Sequence, residues 1–158
     1  MADHSDAALL KPFDASEYHI GIAVGLFNSH ITSPMLQTAV QTLLEDYQMP
    51  QDHIHTIEVP GAADMPAALE ALARRDDIDC LLTIAAIIKG ETAHFDYVAK
   101  VVTEGVKDVQ IKHAKAVGFG VLTVNTLEQA EARIPHAADY AAAALHVARN
   151  IKKLDTQM

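Results

Sequence analysis

Four short apolar runs, set at intervals along a chain whose other stretches have helical spacing, constrain this sequence most. They are residues 20–27 (IGIAVGLF), 53–59 (HIHTIEV), 79–88 (DCLLTIAAII) and 117–124 (VGFGVLTV). The first, third and fourth are apolar almost throughout, as strands buried on both faces are. The second alternates with period two and is rich in β-branched residues. The stretches between them carry helix signals. Thr32 or Ser33 can cap a helix with Pro34 in its first turn, running to about residue 47 before Met49-Pro50 stops it. Pro60-Gly61 ends the second run, and Asp64 can cap a helix over the following residues to 75, with Pro66 in its first turn. A polar loop over 89–94 leads into a long helix ending near residue 115. Thr126 and Gln129 make a capping box for a helix to about 133, Pro135 interrupts, and a last helix runs to about 154.

Strands alternating with helices require crossover connections, hence a parallel sheet covered on both faces. Right-handed crossovers give an α/β, three-layer, flavodoxin-like sandwich with a four-stranded parallel sheet of order 2-1-3-4. The 158 residues make one domain over 19–158, preceded by an N-terminal arm over 1–18 that shows no period. Half the residues are apolar, but Ala is abundant and there are four Phe, four Tyr and no Trp. Ala brings little burial per residue, so such a chain is expected to bury further surface against a partner subunit. The net charge of −9 repels nucleic acid and anionic membranes. Cys80, the one cysteine, lies in an apolar run and reads as a core residue of a cytoplasmic protein. No run has transmembrane length, and the first residues lack the charged and apolar regions of a secretion signal.

In open parallel sheets ligands bind outside the C-terminal strand ends. Those ends here are Phe27-Asn28-Ser29, residues 60–64 (PGAAD), residues 89–94 (KGETAH) and Asn125-Thr126. The third loop is the richest. Gly90 permits close approach of a ligand to the backbone, the following helix offers free N–H groups to a phosphate, and Thr92 and Lys89 add a hydroxyl and a cation. His94 can both give and take a proton near neutral pH. Read alone, Thr92 can equally be a cap and His94 a solvated residue of the first turn. Phe27 is either core or a platform for a planar heterocycle. Asp64 is a helix cap or a ligand contact, and Arg133 a phosphate ligand or a surface charge. Gly118-Phe119-Gly120 lies inside a strand and has no third glycine, so it is not a dinucleotide fingerprint. His53 and His55 share a strand face, but two histidines without a third ligand make a poor metal site.

Four segments together resemble the lumazine synthase family: residues 25–28 (GLFN); 59–66 (VPGAADMP); 88–98 (IKGETAHFDYV); and 119–123 (FGVLT) with 126–130 (TLEQA) and Arg133. The resemblance covers residues 20 to 154. It implies condensation of 5-amino-6-(D-ribitylamino)uracil with 3,4-dihydroxy-2-butanone 4-phosphate to 6,7-dimethyl-8-ribityllumazine, phosphate and water, in riboflavin biosynthesis. It implies no metal and no organic cofactor. By motif position, Phe27 would stack on the pyrimidine, Ala62, Ala63 and Asp64 would hold its ribityl side, and Ala86, Ile87 and Ile88 would offer backbone groups to its ring. Gly90, Glu91, Thr92 and Arg133 would bind the phosphate, and His94 would move protons. Phe119 lies near the start of its strand, far from its own chain's site. In the family the matching residue comes from a neighbouring subunit, which implies a homo-oligomer of pentamers with sites at subunit interfaces. Association with riboflavin synthase is a further implication.

Two departures from the family pattern stand out. The loop after Arg133 is shortened to residues 134–137 (IPHA), without the glycine and lysine found in many members. Ala63 and Asp64 replace a larger residue and a glutamate. These departures leave two other readings to weigh: a catalytically inactive flavin- or lumazine-binding relative, and an assembly or cage scaffold.

Overall fold

The computed structural model describes residues 9–157, so residues 1–8 of the expected arm lie outside it. Four strands, β1 (Ile20–Gly25), β2 (Ile54–Val59), β3 (Cys80–Ile88) and β4 (Val117–Val124), form one parallel sheet of order β2-β1-β3-β4, as the alternating pattern predicts. The helices are α1 (Ser29–Glu45), α2 (Met65–Ala73), α3 (His94–His113), α4 (Leu127–Ala132) and α5 (Ala137–Thr156).

Alternation along the strands divides the core in two. Ile20, Ile22 and Val24 of β1 and Cys80, Leu82 and Ile84 of β3 pack with Met35, Ala39 and Leu43 of α1 and Ala141, Leu145 and Ala148 of α5. Ala23, Leu81, Ala85 and Ile87 face the other way, onto Met65, Leu69 and Leu72 of α2 and Val102, Val106 and Val109 of α3. Cys80 is fully buried, and burial pushes its thiol pKa up. Within β4, Gly118 lets α5 come close: an ideal Cβ there would lie 2.4 Å from the Tyr140 carbonyl oxygen.

The segment before β1 packs on the α1/α5 layer. Ala15 is buried and its N–H donates to the Tyr47 carbonyl at 2.8 Å. The Phe13 ring meets Tyr47 and His146 edge-on and lies under the Arg149 guanidinium at 4.2 Å. Tyr47 and His146 hydrogen-bond across 3.1 Å.

Two expected helix starts are corrected. α1 begins at Ser29, with Asn28 as its cap residue and Pro34 inside it, not with a Thr32 or Ser33 cap. The Thr32 hydroxyl donates instead to the Gly25 carbonyl at 2.7 Å, capping the end of β1. Asp64 precedes α2 but makes no side-chain cap. A 3₁₀ turn over Ala62–Asp64 feeds directly into the helix, and the Asp64 carboxylate turns back to accept from the Gly61 N–H at 3.0 Å. The capping box of Thr126 and Gln129 forms as the sequence predicts.

The sheet also splits at its C-terminal edge. The β1–β3 register ends at Val24↔Ile84, whereas β3–β4 pairing continues to Ile88↔Val124. The last residues of β3 therefore have no strand on their β1 side. This notch lies where the strand order reverses, between β1 and β3.

Candidate active site

The notch is the floor of a cavity of about 220 Å³. Its lining includes Phe27 and Asn28 after β1, Gly61, Ala62, Ala63 and Asp64 after β2, Ala86, Ile87 and Ile88 at the end of β3, and His94 and Val98 on α3. Local chemistry explains each position. The turn after β1 leans on β2 through Leu26 N–H to Val59 O and Phe27 N–H to Pro60 O, both 2.8 Å. This lays the Phe27 ring against Gly61, where an ideal Cβ would come within 2.7 Å of ring carbon Cδ2. The ring remains 66% exposed, so it is a platform facing the cavity and not a core residue.

Backbone direction sorts the end of β3. Leu81 N–H donates to Ala116 O and Lys89 N–H to Val124 O, so odd-numbered residues address β4. Strand alternation then points the backbone groups of Ala86 and Ile88 toward the notch and those of Ile87 away from it. The Ala86 carbonyl is already engaged, accepting from Asn28 Nδ2 at 2.8 Å.

His94 opens α3, and Val98 stands one turn further along the same face. The His94 N–H donates to Thr92 Oγ1 at 3.3 Å, which fixes the loop at the helix start. Gly90, Glu91 and Thr92 lie exposed in that loop beside the helix N-terminus, and space is open around Gly90. They flank the cavity without lining it.

Two candidates are not brought to this cavity. Phe119 pairs with Thr83, three residues before Ala86 along β3, or about 10 Å down the sheet. It is 40% exposed on an edge strand. Arg133 follows α4, half-buried, with Nη1 donating to Gln129 O at 2.9 Å. Tyr140 lies near Arg133; burial raises its pKa, and the Arg133 charge pulls it partly back. Asn28, Gly61 and Val98 were not singled out as site residues. The readable signals were an asparagine after an apolar strand and a valine four residues beyond His94.

His53 and His55 acquire a third imidazole, His19. Its Nδ1 is 3.0 Å from His55 Nε2, and its ring stacks on His53 at 3.7 Å. Stacking brings ring faces together and not three lone pairs onto one point. Among the described residues no group of three or more His, Cys, Asp or Glu is arranged to hold a metal ion. No helix among them is long and apolar enough to cross a membrane.

A family model described as 6,7-dimethyl-8-ribityllumazine synthase matches residues 17–152. A protein of that name from Porphyromonas gingivalis is 38% identical over 117 residues, covering 74% of this chain and 72% of the relative.

Proposed function

Because this chain belongs to the 6,7-dimethyl-8-ribityllumazine synthase family, we propose that it condenses 5-amino-6-(D-ribitylamino)uracil with 3,4-dihydroxy-2-butanone 4-phosphate, forming the lumazine with loss of phosphate and water. The observation that carries this reading is the cavity at the β1/β3 notch, where an exposed aromatic ring, the end of β3 beyond its pairing with β1 and a histidine at a helix start face one space.

The reaction needs no nucleophile from the protein, since the attacking amine is on the pyrimidine substrate. Holding two substrates together makes a bimolecular step effectively unimolecular, which can supply several kcal/mol of the barrier. Phe27 stacks on the pyrimidine, and the strand-edge groups of Ala86 and Ile88 meet its ring, with Ile87 shaping the wall. Ala62, Ala63 and Asp64 hold the ribityl side. The Asp64 carboxylate already accepts from Gly61 N–H, so it contributes from a fixed position. His94 carries protons during imine formation and phosphate departure, a role typically worth about 10²–10⁴-fold. Gly90, Glu91 and Thr92, at the N-terminus of the 20-residue α3, receive the phosphate.

Arg133 and Phe119 act on the site of a neighbouring subunit. The support is that neither lines its own chain's cavity, together with the exposed Phe119 on an edge strand. The assembly is a homo-oligomer built from pentamers, in the cytoplasm, where association with riboflavin synthase is a further expectation. The absence of a membrane-crossing helix among the described residues is compatible with that location.

The test is turnover of the purified protein with both substrates, followed by lumazine absorbance above the uncatalysed background. His94→Ala should lower kcat at least tenfold, roughly the low end of acid–base effects. Background rates in the wild type, or unchanged kinetics in His94→Ala, would refute the reading.

A further inference from the structure

Asn28 is the cavity residue with the least ordinary backbone. Its φ and ψ are 60° and 44°, the left-handed region that few residue types tolerate and asparagine tolerates best after glycine. It follows Phe27 directly and stands at the cap position of α1. Its side chain spans the notch to the Ala86 carbonyl. That carbonyl belongs to the part of β3 beyond the last β1–β3 pair. The amide therefore supplies a hydrogen bond that the missing strand would have made.

The turn carrying Phe27 is thus tied on both sides of the split. Leu26 and Phe27 N–H groups fasten it to the end of β2, and the Asn28 amide fastens it to the end of β3. Without the second tie, the turn can pivot about the first, and the ring changes its angle over the cavity. The Ala86 carbonyl would also be left free on the cavity floor.

We infer that Asn28 is a positioning residue for the pyrimidine substrate: its amide bond to the Ala86 carbonyl and its left-handed backbone together fix the Phe27 platform against the β3 edge. This rests on the function proposed above. It assigns Asn28 an effect on one substrate, since its amide ties down the turn carrying Phe27 and not the phosphate loop, which follows Ile88 and leads into α3.

Three variants separate the contributions. Asn28→Asp keeps size and left-handed tolerance but cannot donate to a carbonyl. Asn28→Gly keeps the backbone freedom and loses the side chain. Asn28→Ala loses both. A hydrogen bond of ordinary net strength corresponds to about tenfold at its upper end. Asn28→Asp and Asn28→Gly should each raise the pyrimidine KM by about tenfold, with the phosphate-substrate KM and kcat within about twofold of wild type. Calorimetric titration with the pyrimidine substrate alone should show the same weakening, and it reads binding even where turnover is absent. Asn28→Ala should bind more weakly still. A lowered Tm with unchanged pyrimidine affinity, or equal loss for both substrates, would overturn the inference. A wild type that binds the pyrimidine but does not turn over would sink the proposed reaction while the titration of the variants still decides the role of Asn28.

Discussion

Gly61→Ala isolates the aromatic platform. The Gly61 backbone is extended, with φ −148° and ψ −179°, so alanine fits it without strain. The three atoms nearest the added methyl all belong to the Phe27 ring, with Cδ2 at 2.7 Å and Cε2 at 3.1 Å. Carbon contacts are most favourable at about 3.5–4.0 Å, so the ring must withdraw by about 1 Å. It is 66% exposed and can do so without disturbing the core. The cost to folding should therefore be below about 0.5 kcal/mol, typical of a surface change. The cost to binding is larger. Aromatic stacking on a planar base is worth roughly 1–3 kcal/mol, and losing half of the middle value, about 1 kcal/mol, weakens binding about fivefold. The assay is calorimetric titration with the pyrimidine substrate, beside steady-state KM values for both substrates. A fivefold weaker pyrimidine with an unchanged phosphate KM and an unchanged Tm is expected. Unaltered pyrimidine affinity would show that the ring does not carry the substrate, and the stacking argument would fall.

Other outcomes follow from the same geometry. Gly118→Ala drives a methyl into the Tyr140 carbonyl of α5 and should cost about 1–3 kcal/mol, seen as a Tm lowered by about 3–10 °C; an unchanged melt would mean that α5 can back away freely. His146 has its pKa lowered by burial and then by Arg149, and His55 by burial and then by Arg75 and His19. Unfolded chains then bind more protons, so this stability is complete above about pH 6.5 and is lost as pH falls through that value toward the depressed folded pKa. Thermal melts at about pH 7.5 and 5.5 should differ in that sense, and His146→Gln should shrink the difference; an identical pH response in the variant would refute the assignment. Mixing His94→Ala with Arg133→Ala subunits through unfolding and reassembly should restore roughly a quarter of wild-type activity if the two residues serve one site from different chains. No recovery would return Arg133 to its own chain.

Much of this was legible in the sequence because burial writes a plain signal. β4 is bounded as its apolar run predicts, and the doubly covered strands β1 and β3 read as continuous apolar segments. Helix starts were less legible, since Thr32 and Asp64 are good caps by type. Tertiary geometry gave them other partners: the Gly25 carbonyl at the end of β1, and the Gly61 N–H behind a 3₁₀ turn. The cavity lining after β1, β2 and β3 follows from topology once the strand order is known. His19 beside His53 and His55 did not, because parallel neighbours in a sheet lie far apart in sequence. Asn28 went unmarked for a related reason. Its role depends on β3 outrunning β1, which only the register reveals.

The packing of Phe13 and Ala15 on Tyr47, and of Phe13 on His146 and Arg149, joins the beginning of the described chain to its final helix. During synthesis, the earliest of these residues to emerge must wait for the latest. β1 likewise cannot find its β3 neighbour until that strand is made. A nascent chain of this topology carries apolar surface on α1 for most of its translation, and that surface is hidden only when α5 arrives. Truncation within α5 should thus yield an aggregating product even though every residue of the cavity is present.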